Sequence, residues 1–352
     1  MEDRVQRLRM LLTREGLDGY LITDPANILY FTGFSGGSGM LISARENVLY
    51  VHGVDYEAAR ESVKGCRIAR MGWGERLDLK VAEAIKDLGI KHLGFDALTA
   101  STFLKLKKAL NRVELSPKQE LVWRLRRVKD AAELERMRRA AELTAAGIRR
   151  ACEIVQPGMR ERELAAEIEY AMRRLGSDGV AFDTIVASGP HSAHPHAGCT
   201  DRRIQRGDLV VIDVGARYQH YCADLTRTLV VGKPTERQAR ILRLVAEAQE
   251  RAIQLVRAGV EARKVDEAAR TVIEEGGYGQ YFVHGVGHGI GLEVHEPPSL
   301  NPKSEQILEE NCVVTVEPGI YLPGFGGVRI EDTILVLRDG AETLTKLPRV
   351  FG

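Results

Sequence analysis

The residues best suited to chemistry are histidines and carboxylates that stand in apolar or glycine-rich surroundings. Residues 282–296, FVHGVGHGIGLEVHE, hold His284, His288 and His295 among four glycines, which would let the backbone approach a ligand closely. Asp213 lies within the apolar run Val-Val-Ile-Asp-Val, where a buried carboxylate is costly unless it is paired or binds metal. Aspartate is also disfavoured in mid-strand, so a purely structural role for Asp213 is the weaker interpretation.

Three further carboxylates occupy predicted strands. Asp224 lies at the start of the strand that follows the strand of Asp213. Glu317 comes directly after the apolar run CVVTV, and Glu331 lies within GGVRIEDTILVL. Taken alone, Asp224 is more typical of a turn cap, but antiparallel pairing could set it on one face with Asp213. Arg329 precedes Glu331 by two residues, so both side chains leave the same face of the strand. Arg329 could therefore orient a carboxylate. The alternative is that Arg329 forms a surface ion pair, which would contribute little to stability.

Four carboxylates on one surface would repel one another strongly, and two divalent cations would cancel that repulsion. One histidine from the glycine-rich stretch would complete a set of oxygen donors with one nitrogen. Such a set suits Mn²⁺, Co²⁺, Fe²⁺ or Zn²⁺ and lacks the thiolates that select softer ions. Two such ions can share a bridging hydroxide that is nucleophilic at neutral pH.

A second histidine-rich stretch, HSAHPHAG, spans residues 191–198 and contains His191, His194 and His196. Its composition alone is typical of an exposed loop or an incidental metal-binding patch. Ser192 is not surrounded by a GxSxG elbow, so the stretch does not indicate a serine nucleophile.

The elements that must position these residues form two α/β parts, which we assign to a domain over residues 1–120 and a domain over residues 121–352. In the first part the patterns predict, in order, a helix over 1–15, strands at LDGYLIT and NILYFTGF, two strands in GMLISARENVLYVHG, a helix over 76–88, a strand at HLGFDA and a helix over 101–111.

The second part begins with a long charged helical segment over residues 118–151, in which Asp130 is a predicted N-cap and Glu133 completes a capping box. Helices then alternate with strand pairs. The predicted helices cover 161–175, 235–258 and 263–276, and the predicted strands lie near 183–188, 208–231, 312–317 and 328–337.

Composition sets the class of the protein. A chain of 352 residues is about right for two domains, and 44% hydrophobic with 28% charged residues is ordinary for a globular protein. Lys plus Arg total 50 against 49 for Asp plus Glu, which gives no electrostatic reason to expect nucleic acid or a membrane surface as partner. Five scattered cysteines and a charged N-terminus without an apolar signal core favour a cytoplasmic location.

Taken together, GHGIGLEVHE, VVIDVGA with ADLTRT, VEPGIY and VRIEDT resemble the motifs of the pita-bread metallopeptidases, and among these the Xaa-Pro peptidases, prolidase and aminopeptidase P. The motifs cover most of residues 180–335, and the N-terminal part is similar to the creatinase/prolidase N-terminal type. The resemblance implies a pita-bread catalytic domain behind a smaller α/β domain. It also implies hydrolysis of the amino-terminal Xaa-Pro bond of dipeptides or short peptides.

The resemblance further implies roles for individual residues. Two metal ions would be bound by Asp213, Asp224, His288, Glu317 and Glu331, with Asp224 and Glu331 bridging both ions. Glu317 would also act as general base and proton shuttle for the bridging hydroxide. The remaining catalytic or substrate-binding positions would be His196, His284, His295, Arg329 and the apolar pocket residue Phe182. His196, rather than His191 or His194, matches the histidine on the substrate side.

One departure from the family leaves the substrate open. Many prolidases carry, shortly after the His-Glu pair, an arginine that holds the free carboxylate of a dipeptide, and HEPPSLN places Ser299 there. This weakens a strict dipeptidase interpretation and leaves room for longer peptides, whereas the short chain is more like some prolidases.

Other functions of the same fold are disfavoured. The extra N-terminal domain argues against methionine aminopeptidase. The complete ligand set argues against creatinase, which is metal-independent, and against a non-catalytic binding protein. The relatives are often dimers, so the resemblance also predicts a homodimer.

Overall fold

The structure is a computed structural model that describes residues 2–350. Residue 1, at the start of the predicted first helix, and residues 351–352, at the end of the predicted second domain, lie outside this range. The chain divides into two compact units, one that ends at Arg126 and one that begins at Arg127. No helix among the described residues combines the length and apolar character needed to cross a membrane.

The first unit is a six-stranded mixed sheet with helices packed against it. Its strand order is β4-β3-β2-β1-β5-β6, in which the pairs β3–β4, β1–β5 and β5–β6 are parallel. In chain order the elements are α1 (Glu2–Arg14), β1 (Gly19–Ile22), α2 (Pro25–Thr32), β2 (Gly37–Ser43), β3 (Asn47–His52), α3 (Tyr56–Ser62), β4 (Arg67–Met71), α4 (Leu77–Leu88), β5 (His92–Phe95), α5 (Ala100–Ala109), β6 (Glu114–Pro117) and α6 (Glu120–Arg127).

One prediction in this unit is wrong, because NILYFTGF belongs mainly to helix α2 and not to a strand. The side chain of Asp24 accepts a hydrogen bond from the backbone N–H of Asn27, and Pro25 occupies the first turn. Gly33 ends the helix in the left-handed conformation, with φ of 72°. These start and stop signals outweigh the apolar and aromatic run between them, which by itself looks like a strand.

The second unit contains two halves of similar build, each a pair of helices followed by antiparallel strands. The first half comprises α7 (Ala131–Ile154), α8 (Glu161–Arg174), β7 (Gly179–Val180), β8 (Ile185–Ser188), β9 (Leu209–Val214), β10 (Ala216–Tyr218), β11 (Tyr221–Cys222) and β12 (Leu225–Val230). The second comprises α9 (Glu236–Leu255), α10 (Ala262–Glu275), β13 (Gly287–Gly289), β14 (Glu296–Leu300), β15 (Val313–Val316), β16 (Gly319–Leu322), β17 (Gly326–Arg329), β18 (Asp332–Val336) and β19 (Ala341–Thr343).

Each helix pair covers one side of its own strands. In the first half, Ile148 of α7 and Ile168 of α8 join the buried cluster that contains Ile212 and Val214 of β9. In the second half, α9 and α10 contribute to the cluster that contains Val314 of β15 and the alternate residues of β18. Because side chains alternate along a strand, residues such as Asp213 face away from the helices.

The helical segment predicted over 118–151 consists of two helices, since α6 ends at Arg127 and α7 begins at Ala131. The predicted capping box is present at the start of α7. The Asp130 carboxylate accepts from Glu133 N–H at 2.9 Å, and the Glu133 carboxylate accepts from Asp130 N–H at 2.8 Å. The helical periodicity on both sides of the break explains why the sequence reads as one segment.

The stretch 208–231 likewise contains four short strands, β9 to β12, where we predicted two. Gln219 and His220 turn the chain with positive φ values of 46° and 72°. The short pair β10–β11 flanks this turn, and β9 pairs with β12 through a six-residue antiparallel register.

Candidate metal centre

The side chains singled out from the sequence meet at one cavity of about 610 Å³ in the second unit. His191 and His194 are not among its lining residues. The lining includes Phe182, His196, Asp213, Asp224, His284, His288, His295, Glu317, Arg329 and Glu331.

The first pair of carboxylates comes from adjacent strands of the first half. Asp213 lies on β9 opposite Thr226 of β12, and Asp224 directly precedes β12. The backbone N–H of Asp224 donates to the Thr333 hydroxyl at 3.1 Å, and that hydroxyl donates back to the Asp224 carbonyl at 2.8 Å. Asp224 is therefore fixed by a residue of the second half.

The second pair stands at strand ends of the second half. Glu317 follows β15, and its backbone N–H donates to the Val286 carbonyl at 2.7 Å. Glu331 lies between β17 and β18, where its N–H donates to the carbonyl of Thr226. The hydroxyl of Thr226 also donates to Glu331 Oε2 at 2.6 Å. Thr226 therefore holds Glu331 against β12, the strand that pairs with β9 and Asp213. The carboxylates of the two halves thus lie close together.

His288 enters the site from β13, between Gly287 and Gly289. A Cβ atom at Gly287 would overlap the carbonyl oxygen of Thr315, and one at Gly289 would overlap the backbone of Pro297. We expected these glycines to let the backbone approach a ligand. In the structure they let β13 fit closely between β14 and β15, which places the His288 imidazole 3.3 Å from Glu317 Oε1.

Burial and mutual repulsion act on these carboxyl groups. The pKa of Asp224 is raised well above its ordinary value by burial and then by the charge of Glu331, and the pKa of Glu331 is raised by burial and the charge of Glu317. Burial also opposes the ionised form of Glu317, but the contact with His288 and the charges of His284 and Arg329 together outweigh it and lower the pKa of Glu317 to about 2. The same contact raises the pKa of His288 against the effect of burial. The cluster therefore needs positive charge close by.

Hydrogen bonding and distances within the cluster, independently of the pKa shifts, indicate that these side chains could bind a divalent cation. Among the described residues, Oδ1 of Asp213, Oδ1 of Asp224 and Oε1 of Glu331 are buried without a hydrogen-bond partner. Ligand atoms of Asp224, His288 and Glu331 lie within 4.8 Å of one another. Buried polar atoms are nearly always paired, so three unpaired carboxylate oxygens in one cluster are suited to binding a cation.

Two further histidines of the site are held as neutral imidazoles. Burial lowers the pKa of His284, whose Nε2 lies 3.0 Å from the Tyr321 hydroxyl. The pKa of His295 is lowered by burial and then by the charge of His288, whose ring centroid is 4.4 Å away. Neutral imidazoles in these places can donate one hydrogen bond and accept another at neutral pH.

Arg329 is not a surface ion pair, because only 3% of the residue is exposed. Its guanidinium donates to Asp213 Oδ2 at 2.5 Å, to the hydroxyls of Thr226 and Tyr321, and to the carbonyl of Pro195 at 3.2 Å. Arg329 therefore orients a predicted metal ligand and also contacts Pro195, the residue before His196.

Sequence reasoning missed Tyr321 and Thr226. Burial raises the pKa of Tyr321 to about 12, so its hydroxyl stays protonated between His284 and Arg329. Tyr321 is the last residue of the VEPGIY motif that carries Glu317, and a tyrosine hydroxyl in an otherwise apolar strand was the available signal. Thr226 lies in ADLTRT, where a strand threonine gives no comparable signal.

Comparison with known sequences agrees with this geometry. The sequence model of metallopeptidase family M24 matches residues 135–338, and that of the creatinase/prolidase N-terminal domain matches residues 4–128. The Xaa-Pro dipeptidase of Pyrococcus furiosus is 41% identical over 351 residues, which cover 99% of each chain.

Solved structures give the same result. The Xaa-Pro dipeptidase from Bacillus anthracis superposes with a TM-score of 0.95 at 39% identity, covering 99% of both chains. The X-Pro aminopeptidase from Thermotoga maritima superposes with a TM-score of 0.89 at 38% identity, covering 98% of this chain and 99% of that one. These matches confirm the predicted fold class, a pita-bread peptidase domain preceded by a smaller α/β domain.

Proposed function

Because this chain belongs to metallopeptidase family M24, a family that uses divalent metal ions, we propose that it hydrolyses the Xaa-Pro bond at the amino terminus of dipeptides or short peptides. One observation carries the proposal, namely that three unpaired buried carboxylate oxygens stand in a cavity lined by all ten side chains the motifs predict. Relatives of 39–41% identity that span the whole chain are named Xaa-Pro dipeptidases, which supports this substrate class.

We assign two metal ions, drawn from Mn²⁺, Co²⁺, Zn²⁺ or Fe²⁺, to five side chains. The side chains that would hold these ions are those of Asp213, Asp224, His288, Glu317 and Glu331. When bound, the two ions supply Lewis acidity and a hydroxide nucleophile at neutral pH.

The protein groups then divide the remaining work. We assign Glu317 as general base and as the carrier of a proton to the leaving proline nitrogen. Its Oε1 lies 3.2 Å from the Thr315 hydroxyl and 3.3 Å from His288, contacts that orient the carboxylate. His284 and His196 contact the substrate, and His295 stabilises the negative charge of the tetrahedral intermediate. Phe182 forms an apolar wall for the pocket, and Arg329 keeps Asp213 in place.

A longer peptide is a second candidate substrate, because Ser299 lines the cavity opposite His288 in the β13–β14 register. Among the described lining residues Arg329 is the one permanently charged cation, and it is already bound to Asp213. A dipeptide needs a partner for its free carboxylate beyond proline, whereas a longer peptide does not.

The test is a cleavage assay on metal-reconstituted protein with Ala-Pro, Ala-Pro-Ala-Ala and, as control, Ala-Ala. Cleavage of either proline peptide but not of Ala-Ala supports the proposal, and their ratio assigns the enzyme as dipeptidase or aminopeptidase. Asp213→Asn and His288→Ala should each abolish this activity. Full metal-dependent activity in either variant would overturn the assigned ligands, and preferred turnover of Met-Ala over Met-Pro would favour methionine aminopeptidase.

Two further assignments rest on the resemblance and on the cysteines. We propose that the protein is a homodimer. Light scattering at micromolar concentration tests this, and a monomeric mass would contradict it. We also propose a cytoplasmic location, since the five cysteines, Cys66, Cys152, Cys199, Cys222 and Cys312, form no disulfide among the described residues. Metal analysis of protein purified without added metal tests which ion is bound.

A further inference from the structure

Glu161 is a buried carboxylate that the proposed mechanism does not use. It is the first residue of α8, it is fully buried, and it is not among the residues that line the cavity. Among the described residues it has no Lys or Arg within ion-pair distance, and its one such partner is His191 at 3.0 Å. A carboxylate in this position is costly unless other donors replace water.

Every side-chain hydrogen bond of Glu161 comes from one segment of chain. Oε1 accepts from the backbone N–H and the hydroxyl of Ser188 at 2.8 and 2.7 Å. Oε2 accepts from the backbone N–H of Thr200 at 3.0 Å and from its hydroxyl. His191 Nδ1 lies 3.0 and 3.1 Å from the two oxygens. These contacts outweigh the effect of burial and lower the pKa of Glu161, so the carboxylate is ionised at neutral pH.

The donors bracket the histidine-rich loop, which we define as residues 188–200. Ser188 ends β8 and begins the loop, Thr200 is the last residue of the loop, and His191 lies in the 3₁₀ turn Gly189–Ala193. His196 lies between these anchors and lines the cavity. A single carboxylate therefore joins both ends of the loop and one point within it.

The opposite side of this loop is held by the strand that carries Arg329. The Arg329 guanidinium donates to the carbonyl of Pro195, and the backbone N–H of Gly327 donates to the Ser192 hydroxyl at 2.8 Å. The loop is thus fixed between Glu161 behind it and β17 in front. Loss of Glu161 would release the anchors on one side only.

We propose that Glu161 is a positioning residue that holds His196 against the substrate by fixing the ends of the histidine-rich loop. The inference rests on the proposed function, because His196 matters to catalysis only if the cavity binds a peptide. Glu161 would act entirely through backbone geometry, since it does not reach the cavity itself.

The first test is Glu161→Gln, which keeps the shape of the side chain but presents an NH₂ group to the Ser188 or Thr200 donors. At least one of those donors is then left unsatisfied, and the loop shifts. We expect kcat/KM for an Xaa-Pro peptide to fall roughly 10–100-fold, since small misplacements remote from the chemistry have effects of that size. Bound metal should be unchanged. The matched control is Glu167→Gln on the same helix. The half-buried carboxylate of Glu167 pairs with Arg150, away from the histidine-rich loop, and this variant should have the activity of the wild type.

A double-mutant cycle with His196→Ala separates positioning from general damage. If Glu161 acts through His196, then Glu161→Gln should have little further effect on kcat/KM in the His196→Ala background. The inference would be overturned if the losses in kcat/KM of the two single variants multiplied in the double variant, or if Glu161→Gln kept full activity. A merely structural role predicts the multiplying outcome.

Hydrogen exchange provides a readout independent of activity. Glu161→Gln should accelerate exchange in peptides from residues 188–200 and leave those of β15 and β18 unchanged, whereas uniform acceleration would contradict the inference. If this variant does not fold, Thr200→Val removes one hydroxyl donor and should produce the same pattern on a smaller scale.

The two proposals fail in distinguishable ways. No cleavage of proline peptides by the wild type removes the proposed function and this inference together. If the wild type cleaves proline peptides and His196→Ala cleaves them equally well, the role of His196 is wrong, and this inference is wrong with it. Normal cleavage that is sensitive to His196→Ala but not to Glu161→Gln overturns this inference alone.

Discussion

The guanidinium of Arg329 donates to Oδ2 of Asp213 at 2.5 Å, while Oδ1 of the same carboxylate has no hydrogen-bond partner among the described residues. The two oxygens of Asp213 thus have different partners, with one bound to arginine and the other directed into the cluster of carboxylates. This arrangement fixes the rotation of the carboxylate before any metal binds, because the arginine is itself held by Tyr321 and Thr226.

Arg329→Lys should weaken both metal binding and catalysis. Lysine keeps the charge, but it cannot reproduce the planar fork that bonds Asp213, Tyr321 and Thr226 together. We expect roughly a 10–100-fold loss in metal affinity or kcat/KM, as is usual for residues that orient ligands. Calorimetric metal titration and peptide cleavage measure the two effects. Arg138→Lys is the matched control, since Arg138 forms an exposed pair with Glu342 and should change neither quantity. Unchanged metal affinity in Arg329→Lys would refute the orienting role.

Asp224→Asn should stabilise the metal-free protein while it abolishes activity. The pKa of Asp224 is raised by burial and by the charge of Glu331, which means that its ionised form is unfavourable when no metal is bound. An amide removes that charge, and Tm should rise by about 2–4 °C for each kcal/mol of relieved repulsion. Thermal scans with and without chelator measure this effect. Added metal should raise the Tm of the wild type but not that of the variant.

The control for that stabilisation is Asp208→Asn, which removes a favourable pair with Arg202 at 2.6 Å. It should lower Tm in the presence and in the absence of metal. A lower Tm of metal-free Asp224→Asn than of metal-free wild type would show that repulsion is not the dominant effect at this position.

The stability contributed by Glu161 should depend on pH. Burial raises its pKa, but hydrogen bonds from Thr200, His191 and Ser188 outweigh this and lower it below the ordinary value of 4.5. Since the folded-state pKa lies below the unfolded-state value, the stabilisation is fully present above about pH 4.5 and is lost as pH falls through the folded-state pKa. At pH 7 Glu161→Gln should cost about 1–3 kcal/mol, the range for hydrogen bonds to a buried charge.

The measurement is the Tm difference between wild type and Glu161→Gln at several values between pH 7 and pH 3. Both proteins are kept in the same metal state, so that titration of the cluster affects both alike. The difference should be constant from pH 7 to about pH 5 and should shrink at lower pH. A difference that grows as pH falls would contradict the assignment of an ionised Glu161.

Ser299→Arg should shift preference toward dipeptides. Ser299 is exposed at the cavity, where an arginine would offer its guanidinium to the free carboxylate of Ala-Pro. We expect the ratio of kcat/KM for Ala-Pro to that for Ala-Pro-Ala-Ala to increase roughly tenfold, equivalent to about 1.4 kcal/mol. Ser299→Gln, of similar length but uncharged, is the control and should not change the ratio. An equal shift in both variants would show that size, and not charge, is responsible.

Local sequence patterns predicted much of the fold. The cap at Asp130 with Glu133, the end of α4 at Gly89 and the strand that contains Asp213 all depend on neighbours within a few residues. Helix α2 was misassigned because an apolar, aromatic run of eight residues suits a buried strand as well as a buried helix. Its capping residues Asp24 and Gly33 were the information that decided between the two.

The sequence by itself determined which groups are available for chemistry and which face of a strand carries them. The alternation that turns Asp213 away from Ile212 and Val214 is a local property of an extended chain. The family resemblance likewise depends on short motifs. From these the carboxylates, the histidine stretch and the class of enzyme could be predicted.

Only the tertiary structure decided how these groups are held. Tyr321 contacts His284 across 37 positions, Arg329 contacts Asp213 across 116, and Glu161 contacts Thr200 across 39. Such pairs leave no periodic signal, because their spacing is set by how the helix pairs and strands pack and not by the pitch of one element. For the same reason the composition of the stretch 191–198 did not show that its position depends on a carboxylate distant in sequence, Glu161, and on contacts with β17.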